Sequence, residues 1–182
     1  MRTLVRSVGR ASIGGEPLPS CFKAFEQNQI IIRRSEVSMF AAAPGAGKST
    51  LALAIALKTN VPTLYISADT NAHTMAMRLA SMISGKSQGE VEQKLNTDIG
   101  WTKAVLQRGN HIVWSFESSP TLQDIDEEVQ AFEELWGCAP SLIVLDNLMD
   151  VATDGGEEFA SMRAIMKELK YLARATNAAV VV

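Results

Sequence analysis

A glycine-rich segment in the first third of the chain has the residue types and the spacing of a phosphate-binding loop. Glycines let the backbone curl so that successive N–H groups face a bound phosphate, and the lysine that follows adds a compact positive charge. The segment therefore predicts a nucleotide-binding site. Its predicted nucleotide-binding residues are Pro44, Gly45, Ala46, Gly47, Lys48, Ser49 and Thr50.

Two side chains of this loop are assigned specific chemistry. Lys48 would reach the β- and γ-phosphates, which makes it a candidate catalytic residue, and the Ser49 hydroxyl is placed to ligate Mg²⁺. The usual pattern begins with glycine, whereas Ala42 stands at that position, so a glycine-rich turn with a chance lysine is the alternative interpretation. The apolar run 37–41 and the helix-forming run 51–58 favour the phosphate-binding loop, because the motif needs a strand before it and a helix after it.

Two carboxylates stand at the ends of other predicted strands. The apolar run 141–146 ends in Asp146, which we assign as a catalytic residue that binds Mg²⁺ through a water of the metal shell. Asp69 follows the β-branched and aromatic run 61–67 and is the candidate for orienting or deprotonating the attacking water. It could equally cap the following helix, a role also open to the next two residues. The residues alone leave both interpretations of Asp69 open.

Hydrophobic periodicity predicts strands that alternate with helices. The predicted strands span 29–33, 37–41, 61–67, 111–115, 141–146 and the chain end at 177–182. The predicted helices span 51–58, 72–84, 121–135 and 159–176, with two short helices in the polar segment 86–107. This alternation predicts an α/β fold with a mainly parallel sheet, flanked by helices and joined by right-handed crossovers.

Length and composition predict one globular domain. The chain has 182 residues, of which 47% are hydrophobic and 20% charged, and this balance excludes wholesale disorder. The formal net charge of −3 means that nucleic-acid contacts would have to come from local basic surfaces. Cys21 and Cys138 lack CxxC spacing and the chain has two histidines, so no zinc site is predicted. No segment resembles a membrane span or a secretory signal, and we expect a cytoplasmic protein.

The sequence divides into two parts. Residues 1–27 are predicted to be a mobile arm or linker, because glycine, proline and serine occur there without periodicity. Residues 28–182 are predicted to form the nucleotide-binding domain. Because its last predicted strand has nothing after it, we expect this domain to be truncated on its C-terminal side.

Several segments resemble, in order, those of DnaB-type replicative helicases. Segment 66–79 resembles the stretch in which Ser-Leu-Glu-Met leads into a helix ending Met-Arg-Leu, and Trp101 falls where that family has an Asp-Trp pair. Segments 120–125, 142–148 and 169–173 resemble the family's pre-helix segment, its Walker B strand and its Leu-Lys-x-Leu-Ala helix. The similarity covers the whole predicted domain, and its most specific part is the phosphate-binding loop.

The resemblance implies a three-layer RecA-like P-loop NTPase core that uses ATP and Mg²⁺. It also implies a motor domain that couples ATP hydrolysis to movement along single-stranded DNA in replication, in a homo-oligomeric ring of six subunits. Primase or other replication proteins would be its partners in the cytosol, and phage members are common in such a compact form. The same motifs suit a RecA-like recombination or strand-annealing ATPase, whereas a small-molecule kinase is disfavoured because no arginine cluster lies between the motifs.

Three features depart from the family pattern. Asp69 stands where the family has a catalytic glutamate. The stretch before the predicted domain is too short for the family's amino-terminal helical domain, and the sequence ends before the polar sensor and the arginine finger would appear. These departures concern motor function rather than ATP binding.

Charged surfaces outside the loop have open interpretations. The predicted helix 121–135 has an acidic face, and the last helix has a basic face that is either solvated or a partner contact. The basic residues of the last helix are Arg163, Lys167, Lys170 and Arg174. Segment 150–158 lies where the family has a DNA-facing loop, but it is acidic here, and we assign it no DNA contacts.

Overall fold

The computed structural model describes residues 15–152 and 158–182, and within them five strands and seven α-helices form. The strands are β1 (Val37–Ser38), β2 (Thr63–Ser67), β3 (Ile112–Ser115), β4 (Leu142–Asp146) and β5 (Ala179–Val181). The helices are α1 (Lys23–Gln27), α2 (Lys48–Thr59), α3 (Ala72–Ser84), α4 (Gln88–Thr97), α5 (Ile99–Leu106), α6 (Leu122–Trp136) and α7 (Glu158–Thr176). Short 3₁₀ turns follow α5 and β4, at Gln107–Gly109 and Leu148–Asp150.

All five strands run parallel in one sheet of order β1-β5-β4-β2-β3. Strand β4 pairs with β2 over its whole length, from Leu142 opposite Thr63 to Asp146 opposite Ser67. Because the strands are parallel, the carboxyl ends of β1, β4 and β2 open on the same edge of the sheet. The predicted α/β fold with a mainly parallel sheet is confirmed.

Helices cover both faces of the sheet and give three layers. One face carries α6 and α7, over a cluster that includes Leu64, Ile66, Ile125, Phe132, Ile143 and Leu169. The opposite face carries α1, α2 and α3, over a cluster that includes Leu53, Ile55, Tyr65, Met75 and Val144. Successive residues of β2 thus enter opposite clusters, which is the two-residue period of a strand buried on both faces.

The polar segment after α3 folds into two short helices, α4 and α5, as predicted. They pack against α3 around a small cluster of Ala80, Val91 and Val105, and Trp101 lies against this cluster. Lys94 also lies 5.3 Å from the centroid of the Trp101 ring. The tryptophan therefore joins α4 to α5, so that an otherwise polar segment gains an apolar centre.

The entry to the sheet differs from its prediction. Segment 29–33, predicted as a strand, is irregular, and its pairing is a single antiparallel bridge between Arg33 and Pro17. The apolar residues Ile30 and Ile31 are each about half exposed. A short apolar run does not determine whether a neighbouring strand is available to pair with it, and this run has none.

Part of the predicted arm packs against the domain. Residues 15–27 include α1, and Phe22 and Phe25 pack against the apolar cluster on its side of the sheet. Lys58 of α2 lies 4.4 Å from the centroid of the Phe22 ring, a cation–π contact. The glycines and prolines of this stretch hid an apolar pair spaced by one helical turn. Residues 1–14 lie outside the described part of the chain.

The start of α6 confirms the predicted capping box. The Thr121 backbone N–H and hydroxyl donate to the Asp124 carboxylate, and these hydrogen bonds hold the pKa of that carboxyl below its usual range. The longest helix of the described ranges is α7, with 19 residues. No helix in these ranges combines the length and the apolar character needed to cross a membrane.

Phe132 is the side chain of α6 on which we expect the fold to depend most. It is 1% exposed and its ring stacks on Trp136 with centroids 5.5 Å apart. We expect Phe132→Ala to lower the free energy of unfolding by about 3–5 kcal/mol, because it leaves a cavity between α6 and the sheet. Denaturant unfolding would measure this. Leu135→Ala on the same helix, at a side chain 70% exposed, should change it by no more than about 0.5 kcal/mol. Equal effects of the two substitutions would contradict the packing.

Candidate functional site

The phosphate-binding segment forms the loop between β1 and α2. Gly45 and Gly47 have φ angles of 77° and 91°, in the left-handed region that residues with a side chain rarely adopt. Gly47 directly precedes α2, whose first N–H groups have no acceptor within the helix. The remaining predicted nucleotide-binding residues of the segment are exposed: Pro44, Ala46 and Thr50. The segment therefore has the form of an accessible anion-binding loop at a helix N-terminus.

Lys48 is the first residue of α2, and its ammonium lies over this loop. Its Nζ donates to the carbonyl oxygen of Ala42 at 2.9 Å and lies 3.5 Å from that of Ala43. Both acceptors are neutral, and no carboxylate in the described part of the chain forms an ion pair with this lysine. The ammonium therefore keeps a full positive charge at the mouth of the loop.

Ser49 and Asp146 meet although 97 positions separate them. The Ser49 hydroxyl, in the first turn of α2, donates to Oδ1 of Asp146 at 3.0 Å. Asp146 is the last residue of β4 and is 7% exposed. The parallel sheet produces this contact because it brings the end of β4 to the same edge as the loop after β1.

Tyr65 completes this group, and sequence reasoning did not find it. Its hydroxyl donates to Oδ2 of Asp146 at 2.9 Å from the middle of β2, and the residue is 0% exposed. Burial and then the charge of Asp146 raise the pKa of the Tyr65 hydroxyl well above its usual value. The hydroxyl thus remains a donor at alkaline pH. A signal was available, because a tyrosine in a strand buried on both faces must find a partner for its hydroxyl.

Asp69 lies in the bend that follows β2 and is exposed. The cap of α3 is not Asp69 but Asn71, whose side-chain oxygen accepts from the N–H of Thr74 at 2.9 Å. The structure therefore removes helix capping as the explanation of Asp69. Its carboxylate remains available for other chemistry at the edge of the sheet.

Asp150 is a further carboxylate that sequence reasoning did not place in the site. It ends the 3₁₀ turn after β4 and accepts from Asn147 Nδ2 at 3.1 Å. Burial raises its pKa, and so do the negative charges of Asp69 and Asp146. These electrostatic effects require the three carboxylates to lie near one another. The carboxyl ends of β2 and β4 therefore form an acidic region, while Lys48 provides the cation near the end of β1.

A cavity of about 470 Å³ adjoins this edge of the sheet. Lys48 and Asp146 form part of its wall, together with the phosphate-binding loop. Its apolar wall includes Met39, Phe40, Leu148, Met149, Met162 and Val182. A concave apolar surface beside a few polar groups is typical of small-molecule sites.

The donor set at this edge fits Mg²⁺ better than a metal held by protein alone. In the described ranges, no group of three His, Cys, Asp or Glu side chains is placed to bind a metal ion. Ser49 and Asp146 instead offer one hydroxyl and one carboxylate at hydrogen-bond distance. Mg²⁺ is typically bound by few protein oxygens, with phosphates and waters as its other ligands.

Comparison with known proteins decides the family. A family model described as an AAA domain matches residues 27–182. This chain belongs to the AAA domain family. The Gene 65 protein of Mycobacterium phage L5 is 35% identical over 172 residues, which cover 92% of this AAA domain chain and 64% of the phage protein. The Gene 65 protein of Mycobacterium phage D29 is 34% identical over 152 residues, which cover 77% and 62%. The chain thus spans less than two thirds of these relatives, and both are phage proteins, as the predicted phage origin requires.

Solved structures identify the fold of this AAA domain. A DnaB-like replicative helicase, described with its interactions with primase, matches 98% of this chain and 46% of its own with a TM-score of 0.78 at 15% identity. A solved ATPase domain matches 98% and 66% with a TM-score of 0.77 at 14% identity. A KaiC-like protein from Pyrococcus horikoshii matches 92% and 69% with a TM-score of 0.63 at 13% identity. The predicted resemblance to DnaB-type ATPase domains and the three-layer RecA-like core are confirmed.

The hydrogen bond from Tyr65 to Asp146 gives a direct prediction. Tyr65→Phe should lower the free energy of unfolding by about 1–3 kcal/mol, because the substitution leaves one oxygen of a buried carboxylate without its donor. Denaturant unfolding at neutral pH would measure the change. Tyr171→Phe is the matched control, since that tyrosine is 71% exposed, and it should have almost no effect. A Tyr65→Phe protein as stable as the wild type would contradict the role of this hydrogen bond.

Proposed function

We propose that this AAA domain binds and hydrolyses ATP as the motor domain of a DnaB-like DNA helicase that acts on single-stranded DNA in replication. The observation that carries the proposal is the contact at 3.0 Å between the Ser49 hydroxyl and the Asp146 carboxylate, beside the ammonium of Lys48. It joins a phosphate-binding loop to a carboxylate at the end of a neighbouring strand. The family and the RecA-like core support the same conclusion.

In this proposal the loop and Lys48 hold the nucleotide. The N–H groups of the loop and of the first turn of α2 would donate to phosphate oxygens, and the positive end of the helix dipole would add to the attraction. Lys48 would exchange the neutral carbonyls that it now contacts for the charged terminal phosphates, which are stronger acceptors. Binding therefore replaces a weaker hydrogen bond with a stronger one.

Ser49 and Asp146 would hold Mg²⁺ in this site. Mg²⁺, when bound, would neutralise charge on the phosphate oxygens. The Ser49 hydroxyl would be a direct ligand, while Asp146 would accept from a water of the metal shell. Tyr65 keeps one oxygen of Asp146 occupied, so the other oxygen faces Ser49 in a fixed orientation.

Asp69 is the proposed residue that orients or deprotonates the attacking water. It is exposed at the same edge of the sheet, and Asn71 already caps the helix that follows. Ser67 and Asp146 are paired at the ends of β2 and β4, so the bend that carries Asp69 starts beside the proposed metal ligand. Proton transfer requires the base to lie within hydrogen-bond reach of the water, directly or through a second water.

The partners proposed for the complete protein are single-stranded DNA, further copies in a hexameric ring, and primase or other replication proteins. A RecA-like recombination or strand-annealing ATPase is the alternative on the same core. Electron microscopy with ATP and single-stranded DNA separates the two, because closed rings would support the helicase and helical filaments the recombinase.

Replacing the lysine of the loop tests nucleotide binding. We expect Lys48→Ala to weaken ATP binding by about tenfold to a hundredfold, because a methyl group cannot replace a charged hydrogen-bond donor to phosphate. Isothermal titration calorimetry with ATP and Mg²⁺ would measure this. Lys103→Ala is the matched control, because it removes the same charge from an exposed position on α5. Equal affinities of the two variants would reject the loop assignment.

Asp69 is tested by comparing turnover with binding. We expect Asp69→Asn to abolish most ATP hydrolysis and to leave ATP affinity nearly unchanged, because a neutral amide cannot take a proton from water. Asn71→Ala is the control, since it should cost about 1 kcal/mol of stability through the lost cap without a matching loss of turnover. Phosphate release and calorimetry would report the two quantities. Wild-type turnover in Asp69→Asn would remove Asp69 from the proposed mechanism.

A further inference from the structure

Helix α7 has a basic face that the proposed ATP site does not use. It consists of Arg163, Lys167, Lys170 and Arg174, and all four residues are exposed. Their spacings of 4, 3 and 4 residues place them in one row of about 16 Å along the helix. Three of them line a groove of about 320 Å³ with Met162 and Met166. The row therefore combines positive charge with an apolar floor.

Helix α6 has an acidic face of comparable length. Its exposed carboxylates are Asp126, Glu127, Glu133 and Glu134, which repeat after seven residues over about 12 Å of helix. Asp124 and Glu128 are not part of this face, because they hydrogen-bond Thr121 and Ser115 and are half-buried. The helix contains no lysine or arginine. Its outer surface is thus uniformly negative.

These two charged faces are not paired within one copy of the chain. In the part of the chain that the structure describes, the ion pairs are Lys86 with Glu90 at 3.9 Å and Lys94 with Asp98 at 3.8 Å, both elsewhere. Each face also has a large exposed apolar residue nearby, Leu135 on α6 and Tyr171 on α7, at 70% and 71% exposure. Opposite charge together with exposed apolar side chains is what a protein–protein contact requires.

We propose that the basic face of α7 is a docking surface for the acidic face of α6 in a second copy of this chain. The contact uses two different surfaces, so it is head-to-tail, and repeating it produces a closed ring or an open filament. A second copy is favoured over nucleic acid because the complementary surface lies on the chain itself. The chain's net charge of −3 provides no general attraction for DNA. This inference goes beyond the proposed ATPase and does not depend on nucleotide chemistry.

Charge reversal tests the proposed contact. The first variant, Lys167→Glu with Lys170→Glu, makes α7 acidic, and the second, Glu127→Lys with Glu134→Lys, makes α6 basic. Sedimentation velocity of the full chain over a range of concentrations would measure self-association. We expect each variant to associate at least about tenfold more weakly than the wild type, since like charges then face one another. Mixing the two variants should restore association, because each then presents a surface opposite in charge to its partner's.

The controls separate this contact from general charge effects and from the ATP site. Glu92→Lys with Lys103→Glu, at exposed positions on α4 and α5, should leave association unchanged. Calorimetry should show that the reversed variants bind ATP like the wild type, so loss of association and loss of ATP binding are distinguishable failures. A wild-type chain that stays monomeric, or a mixture that fails to associate, would overturn the proposal. So would reversed α7 variants that lose affinity for a labelled single-stranded oligonucleotide while their association is unchanged.

Discussion

The buried carboxylate of Asp146 is the group on which the rest of the site depends. An ionised carboxylate taken out of water is costly unless donors surround it, and here both oxygens have one, Ser49 from α2 and Tyr65 from β2. The two donors come from different layers and different strands. The carboxylate therefore stabilises the arrangement of loop, helix and sheet only when all three are in register.

That register comes from the parallel pairing of β2 and β4. Tyr65 lies opposite Val144, two residues before the end of β4, and its side chain is long enough to reach the carboxylate of the last residue. A shift of one residue would turn Tyr65 to the opposite face of the sheet and remove the donor. The apolar clusters on the two faces thus determine the polar geometry at the edge, because they fix which residues of β2 face which side.

Charge is divided across the edge of the sheet. The ammonium of Lys48 lies over the loop after β1, whereas Asp69, Asp146 and Asp150 lie after β2 and β4. A phosphate chain is attracted to the first region and repelled by the second, so the two regions orient an anionic ligand. The same carboxylates would attract a divalent cation or accept a proton from water. Separation of charge also marks the outer helices α6 and α7, where it favours contacts between unlike surfaces of different copies.

The sequence by itself determined most of the architecture and half of the site. Alternating apolar runs gave the strand and helix order, including the two short helices around Trp101, because local periodicity reports which side of an element is buried. The motif located Lys48 and Ser49, since a phosphate-binding loop is made of consecutive residues. The apolar run 141–146 placed Asp146 at a strand end for the same local reason.

What only the tertiary structure decided depends on residues far apart in the chain. Tyr65 and Asp146 are 81 positions apart, and no local pattern shows which buried hydroxyl will find which carboxylate. The choice between Asp69 and Asn71 as helix cap was equally hidden, because both are good caps and only the backbone geometry selects one. Segment 29–33 and helix α1 were mispredicted for a related reason. Whether an apolar stretch pairs, packs or stays exposed is set by the surfaces that the rest of the fold presents to it.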